Sequence, residues 1–378
     1  MGRHLGLPLL YMIDWYQIDN ITQIDSPALV VYPERIENNI HLAIQIAGGA
    51  DRLRPHVKTN KMAEVCRLMM QAGITKFKCA TIAEAEMLAL AGAPDILLAY
   101  QPVGPKIDRL IKLIKYYPKS NISCLVDHPK NVFDVNNLCN KEGVSLNVYI
   151  DLNVGMNRTG IPPAKAPALA NNILLLKNLR LAGLHGYDGH IHESDIDQRQ
   201  SESDSAYSAV ENVCKEIQAL LPYPLPVVLG GTPSFPTHVR RTNCELSPGT
   251  FVFWDWGYKH NYPDMPFEYA ALVVCRIISI IDNRHICVDL GYKSVASESP
   301  LPRVYFLNAP EAKPIAQSEE HLVLETPDSS VFAIGQVFYG VPKHICPTVA
   351  LYDKAFVIVK GQMTDSWNVI ARNRIINF

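Results

Sequence analysis

The sequence predicts an eight-stranded βα barrel followed by a separate β domain, and three observations carry that expectation. Short β-branched runs alternate with amphipathic helical stretches up to about residue 250. The chain has 378 residues, more than one compact core usually accommodates. After Tyr269 the helical stretches give way to strand-length runs separated by Gly, Pro and polar turns.

The first part contains the runs ALVVY, LRPHVK, KFKCA, DILLAY, ISCLVD, NVYIDL, LAGLHGY, PVVLGG and CELSPG. Alternation with helices implies a parallel sheet covered by helices, and about eight units imply closure. One run is therefore in excess, and ALVVY is the one expected to lie elsewhere. Between the runs, Ile107, Leu110, Ile111 and Ile114 recur at helical spacing between Pro105 and Pro118, and Thr81 with Glu84 forms a capping box. The second part reads as ALVVCRIISII, HICVDL, RVYFLN, HLVLET, QVFYGV, AFVIVKG and WNVIAR. The expected division is a barrel over residues 26–262 and a β domain over 263–378, the latter joined by the segment 1–25.

Hydrophobic residues make up 48% and charged residues 19%, the balance of a folded soluble protein. A net charge of -2 with no Lys/Arg-dense run argues against a nucleic-acid partner. Nine cysteines without framework spacing read as reduced thiols of a cytoplasmic protein. The apolar stretch at 5–13 is too short for a membrane span, and no small-residue cleavage site follows it before Asp14.

In a βα barrel the residues just after each strand face one mouth. Here these are Lys58, Thr59 and Asn60; Gly155 to Gly160 with Arg158; Tyr187, Gly189 and His190; Gly230, Gly231 and Thr232; and Gly249 and Thr250. A lysine there is either an ordinary solvated one or, when desolvated, a nucleophile toward an aldehyde. Gly231-Thr232 and Gly249-Thr250 can present backbone N–H groups to a phosphate, although each glycine could serve only a turn. One lysine, one arginine and two phosphate nests on one rim suit a phosphorylated carbonyl cofactor.

The segments RPHVKTNK, IDLNVGMNRTG, GYDGH, GGTPS and ELSPGTFVF resemble the D-threonine aldolase and D-serine dehydratase family, from Ser26 into the β domain. The resemblance implies an alanine-racemase-type (β/α)8 barrel with a C-terminal β domain, and pyridoxal phosphate held by Lys58 as a Schiff base. Lys61 is then an ordinary residue at a helix start. Arg158 is expected at the cofactor's phenolic oxygen, with Tyr187, Gly231, Thr232, Gly249 and Thr250 also in the cofactor site. Alanine racemases carry an arginine where this chain has Ser247, so no arginine there faces the pyridine nitrogen.

His344 and Cys346, two apart in PKHICPTVAL, would share one face of a strand. That spacing suits zinc or a core-facing pair beside Pro342 and Pro347. The resemblance implies a divalent metal here, zinc, manganese or similar, that ligates a substrate 3-hydroxyl. It also makes His190 the general base toward that hydroxyl, with His192 as runner-up, puts His321 near the metal, and implies a homodimer. The expected reaction is retro-aldol cleavage of D-threonine-like D-3-hydroxy amino acids to glycine and an aldehyde. The alternatives are a D-serine or D-3-hydroxy acid dehydratase, an amino-acid racemase, and a non-catalytic pyridoxal-phosphate-binding protein. His56, the pair Asp289 and Lys293, and the strand-end residues Tyr100 and Gln101 receive structural roles.

Overall fold

The computed structural model describes residues 14–378, so the apolar stretch at 5–13 lies outside them. Parallel strands β2 (Lys76–Cys79), β3 (Asp95–Leu98), β4 (Asn121–Val126), β5 (Leu146–Leu152), β6 (Leu179–Gly186), β7 (Val227–Leu229) and β8 (Cys244–Leu246) pair in chain order. Residues 53–57 close the curled sheet. Leu53 bridges Leu246 on β8 and His56 bridges Lys78 on β2. The backbone N–H groups of Arg54 and His56 donate to Leu246 and Pro248 carbonyls at 2.8 Å, and that of Lys78 donates to Pro55 at 2.8 Å. Pro55 has no N–H to give, which keeps this eighth segment from forming a full ladder.

Helices α1 (Pro33–Ala47), α2 (Ala63–Gln71), α3 (Ile82–Ala91), α4 (Pro105–Tyr116), α5 (Pro129–Glu142), α6 (Ala166–Leu174) and α7 (Ile196–Gln218) precede or separate the strands. On α4 the expected stripe is buried at Ile107, Leu110 and Ile111. At the start of α3 the Thr81 hydroxyl accepts from Glu84 N at 3.0 Å, as the capping box requires, while the Glu84 carboxylate accepts from Ala80 N at 2.6 Å. The barrel interior is layered. Arg54, Lys76, Asp95 and Glu245 form an ionic floor, with Leu97, Leu125, Tyr149 and Val228 packed inside.

The second sheet is built from β1 (Ala28–Val31), β9 (Ala271–Ile280), β10 (His285–Val288), β11 (Val304–Phe306), β12 (Lys313–Gln317), β13 (Leu322–Glu325), β14 (Val337–Pro342), β15 (Lys354–Val359) and β16 (Gln362–Asn368). The run ALVVY lies here, with Val30 opposite Leu272 of antiparallel β9 and Phe356 of parallel β15. It is continuously apolar because both faces are covered. Leu29 and Val31 join the core beneath the barrel helices, and Ala28 and Val30 pack with Tyr16, Ile18 and Ile24. A boundary at residue 26 thus leaves one strand of this sheet on the barrel side.

One strand is additional to the expected runs and one is displaced. Pro314 interrupts the pattern of β12, yet this strand sits at the sheet edge, where a missing N–H is tolerated. The final strand runs over 362–368 rather than 367–372, since Lys360 (φ 49°) and Gly361 (φ 75°) turn the chain back onto β15. Short helices α8 (Trp256–Asn261) and α9 (Ile345–Val349) complete the chain.

Candidate active site at the barrel mouth

Tyr187, just past β6, is the centre on which the mouth is built. Its ring has Lys58 Nζ at 5.7 Å, Lys78 Nζ at 5.8 Å and the Arg158 guanidinium carbon at 4.9 Å from its centroid. Side chains at Gly189 or Gly231 would strike this ring, so both glycines clear its place. Lys58 is half-buried, and its N–H donates to His56 Nδ1 at 3.3 Å. Lys61 is drawn away, its ammonium paired with the buried carboxylate of Glu84.

Arg158 is carried by the 153–160 loop. The Asn153 side-chain oxygen Oδ1 accepts from the N–H groups of Gly155 and Asn157 at 3.1 Å each, and Asp127 accepts from Gly160 N at 3.0 Å. Asp127 N in turn donates to Gln101 at 2.9 Å, so Gln101 shapes the mouth through this loop; Tyr100 lies beneath the ammonium of Lys106, 4.8 Å from its centroid. Gly155 adopts φ 123°, and a Cβ there would sit 2.5 Å from His190 Nε2. The Arg158 loop and His190 are therefore packed together. His190 Nδ1 is buried without a partner, a polar atom awaiting one. His192 is exposed, with Nδ1 2.5 Å from the His190 carbonyl.

The two expected phosphate nests are tied to each other. The Thr232 hydroxyl accepts from both Gly249 N and Thr250 N at 2.9 Å, and Gly231 N donates to Ser234 Oγ at 3.1 Å. These amides are engaged within the protein rather than open, because a buried N–H demands an acceptor. The Ser247 hydroxyl donates to the Arg54 carbonyl at 2.9 Å and is likewise committed.

The β domain reaches this mouth in the same chain. Cys346 Sγ lies 3.1 Å from Thr59 Oγ1, next to Lys58, and 3.4 Å from Thr250 Oγ1. The expected strand at His344 and Cys346 is corrected: β14 ends at Pro342, and Cys346 belongs to the short helix α9. Asp255 explains the change, since one carboxylate oxygen accepts from Ile345 N at 3.1 Å at the start of that helix, while the other accepts from Tyr258 N at 2.8 Å and caps the helix at 256–261. Burial pushes Asp255 up to about 6. His344 Nδ1 lies 2.6 Å from Glu298 Oε1, which leaves Nε2 as the nitrogen that a ligand could reach. Burial opposes charge on the Cys346 thiol, but His344, Thr250 and Thr59 outweigh it and bring its pKa down, while Cys346, Asp255 and Glu298 raise His344 to about 9 against the opposing effect of burial. An imidazole and an easily ionised thiol suit a divalent ion. Among the described residues no cluster of three or more His, Cys, Asp or Glu groups could hold one, and His344 with Cys346 would supply two ligands.

Other expected residues lie apart. His321 is exposed at the β12–β13 turn, where its carbonyl accepts from Ser318 N at 2.9 Å, and no described hydrogen bond links it to His344 or Cys346. Asp289 and Lys293 do not pair. Asp289 takes the Ser26 hydroxyl at 2.5 Å and Arg276 N at 2.6 Å, while Lys293 joins Glu319 and Glu320.

The sequence matches the family described as alanine racemase, N-terminal domain, over residues 31–255, and a putative serine dehydratase domain over 270–358. The chain belongs to the alanine racemase N-terminal domain family. It is 28% identical to a D-threonine aldolase of Arthrobacter sp over 94% of each chain. It is also 28% identical to a 3-hydroxy-D-aspartate aldolase of Paracoccus denitrificans over 93% of each. A D-threo-3-hydroxyaspartate dehydratase of Delftia sp. is 23% identical, with 92% of this chain and 98% of that one covered. The crystal structure of a D-threonine aldolase from Filomicrobium marinum superposes with a TM-score of 0.86 at 26% identity, over 94% of this chain and 97% of that one.

Sequence reasoning missed Lys78, Asp151, His185, Asp188 and Glu298. The first four are buried polar residues on or just after barrel strands. Their signal was a charged or imidazole group inside an apolar run, as in KFKCA, NVYIDL and LAGLHGY, where burial demands a reason.

Proposed function

We propose that the chain cleaves D-threonine-like D-3-hydroxy amino acids to glycine and an aldehyde, using pyridoxal phosphate at Lys58 and a divalent ion at His344 and Cys346. The enzyme class, a pyridoxal-phosphate-dependent lyase, follows from the family and its aldolase relatives; the substrate and the metal are the finer reading. The observation that carries it is the convergence of three cations on the Tyr187 ring, with the Cys346 thiol 3.1 Å from the hydroxyl of the residue after Lys58. A planar, anionic aldehyde suits that donor set, and glycines at 189 and 231 leave the Tyr187 ring room to take its place.

Bound pyridoxal phosphate supplies an electron sink for breaking the bond between the α and β carbons, and a bound divalent ion supplies Lewis acidity toward the 3-hydroxyl. Lys58 supplies the amine that bonds the aldehyde. Arg158, held by Asn153 and Asp127 through its loop, stabilises negative charge on the ring oxygen. His190, whose Nδ1 lacks a partner, takes the 3-hydroxyl proton. Glu298 fixes the tautomer of His344. Nine free cysteines, eight of them buried, support a reducing, cytoplasmic setting, and the reading includes a homodimer by the same resemblance. No helix among the described residues is long and apolar enough to cross a membrane.

Incubation with D-threonine should yield acetaldehyde and glycine. The match to a serine dehydratase domain favours one second reading, in which D-serine or a D-3-hydroxy acid is dehydrated. Release of a 2-oxo acid and ammonia from D-serine, without aldehyde from D-threonine, would replace the first reading by the second. Borohydride should trap the cofactor on Lys58, and Lys58→Ala should lose both adduct and turnover; an adduct on Lys61 would sink the assignment.

A further inference from the structure

Three buried titratable groups that the proposed reaction does not use lie inside the barrel close to Tyr187. Lys78 on β2 is 2% exposed, and its ammonium or amine donates to His185 Nε2 at 3.5 Å. His185 Nδ1 stands 2.7 Å from Asp151 Oδ1, both side chains being buried. A carboxylate can only accept, so Nδ1 carries the imidazole proton and Nε2 is left as an acceptor. One N–H of Lys78 is thereby always spent on His185. Two positions remain on its nitrogen, one N–H and either a lone pair or a third N–H, beside the Tyr187 ring that Lys78 shares with Lys58 and Arg158.

A methionine would fill this place without the cost of burying an amine, and no carboxylate forms a described ion pair with Lys78. The groups acting on it come from every neighbouring segment: Lys58, His56 and Arg54 on the closing segment, His185 and Asp188 at β6, Asp151 on β5, and Arg158 across the Tyr187 ring. Asp188 is itself occupied by His238 and Ser234 at 2.7 Å each. Burial first, and the charge of Lys58 second, bring the Lys78 amine down to about 7, with Asp188 and Asp151 partly offsetting them.

We propose that Lys78 is a proton carrier within the barrel, oriented by the Asp151–His185 pair, that acts through Lys58 by setting the charge beside its amine. The inference rests on Lys58 being the cofactor lysine. As an ammonium Lys78 adds a positive charge beside the Tyr187 ring that Lys58 shares; when it has released its proton that charge is gone. Lys78 is a positioning residue in this sense.

The test is stopped-flow absorbance of apo-protein mixed with pyridoxal phosphate from pH 6 to 10. The wild-type capture rate should show a step near pH 7 that Lys78→Met and Lys78→Arg both lack, because neither variant exchanges a proton there. Asp151→Asn preserves volume and removes an anion that favours the Lys78 ammonium, so it should move the step to lower pH by about half a unit or more. This second variant keeps the test decisive if Lys78→Met fails to fold. A wild-type step that persists in Lys78→Met, or stays in place in Asp151→Asn, would overturn the proposal. Failure of the Lys58 reading looks different: wild-type protein would then give no capture band and no borohydride adduct on Lys58.

Discussion

The floor of the barrel and its mouth are both rich in charge, and they treat it oppositely. On the floor, Arg54 is 1% exposed and meets Glu245 at 2.6 Å and Asp95 at 2.5 Å, while the other Glu245 oxygen holds Lys76 at 2.7 Å. Every cation there has a carboxylate. Toward the mouth, Lys58, Lys78 and Arg158 gather on Tyr187, and the nearby carboxylates Asp151 and Asp188 are committed to His185 and His238. The floor therefore pairs each of its cations, whereas the mouth leaves three without a described carboxylate, as the proposed anionic cofactor would require.

The largest expected effect breaks the floor. Glu245→Ala would leave Arg54 and Lys76 without their shared partner and should cost about 3–5 kcal/mol, measured by urea unfolding of the apo-protein. Lys78→Met should cost less than about 1 kcal/mol or stabilise, because it removes a desolvated amine. Equal losses in the two variants would erase the contrast.

The metal pair sharpens the mouth side. Under the proposed function Cys346→Ala should reduce kcat about a hundredfold or more while leaving the cofactor absorbance nearly unchanged, since the ion it would hold acts at the substrate hydroxyl. Chelation should do the same to wild type, with recovery on adding a divalent ion back. Full turnover by protein shown metal-free by elemental analysis would make the pair structural.

Acid and alkali should separate the regions by pH window, since stability rises with pH in both. Burial raises the Glu245 carboxyl, but Arg54 and Lys76 outweigh it and hold it below its ordinary value, so its contribution is present above about pH 4.3 and fades as pH falls through the depressed value. Lys78 is depressed to about 7 when folded against an ordinary value of about 10.4, so the unfolded chain holds more protons between them. Wild type should gain stability as pH rises through that window, with a slope up to about 1.4 kcal/mol per pH unit. Thermal melts of apo Lys78→Met should lack this gain; identical pH slopes would place the Lys78 proton outside the alkaline response.

The smallest effect concerns the loop that couples Arg158 to His190. Gly155→Ala puts a Cβ at φ 123° and 2.5 Å from His190 Nε2, so kcat should fall about tenfold with a loss of about 1–2 kcal/mol. Gly335→Ala, at φ 84° with open space around it, should lose a similar stability and no kcat. Parallel changes in kcat would detach His190 from the reaction.

The sequence by itself determined what is local and periodic. Alternating βα runs specified the parallel sheet, and the excess run ALVVY was identifiable because eight units suffice to close a barrel. Strand-end positions located Lys58, Arg158, Tyr187 and His190 at one mouth, since chain direction alone decides which end of a parallel strand faces it. Tertiary structure decided what depends on partners distant in the chain. Thr232 occupies the amides of Gly249 and Thr250, Asp255 turns the strand expected at 344–346 into a helix, and Asp289 and Lys293 bond elsewhere. Lys78, His185 and Asp151 become one chain of hydrogen bonds only when β2, β5 and β6 curl around a common axis. The physical reason is range: periodicity records which face of an element is buried, but a hydrogen bond or a cation cluster depends on which side chains closure brings within a few ångströms.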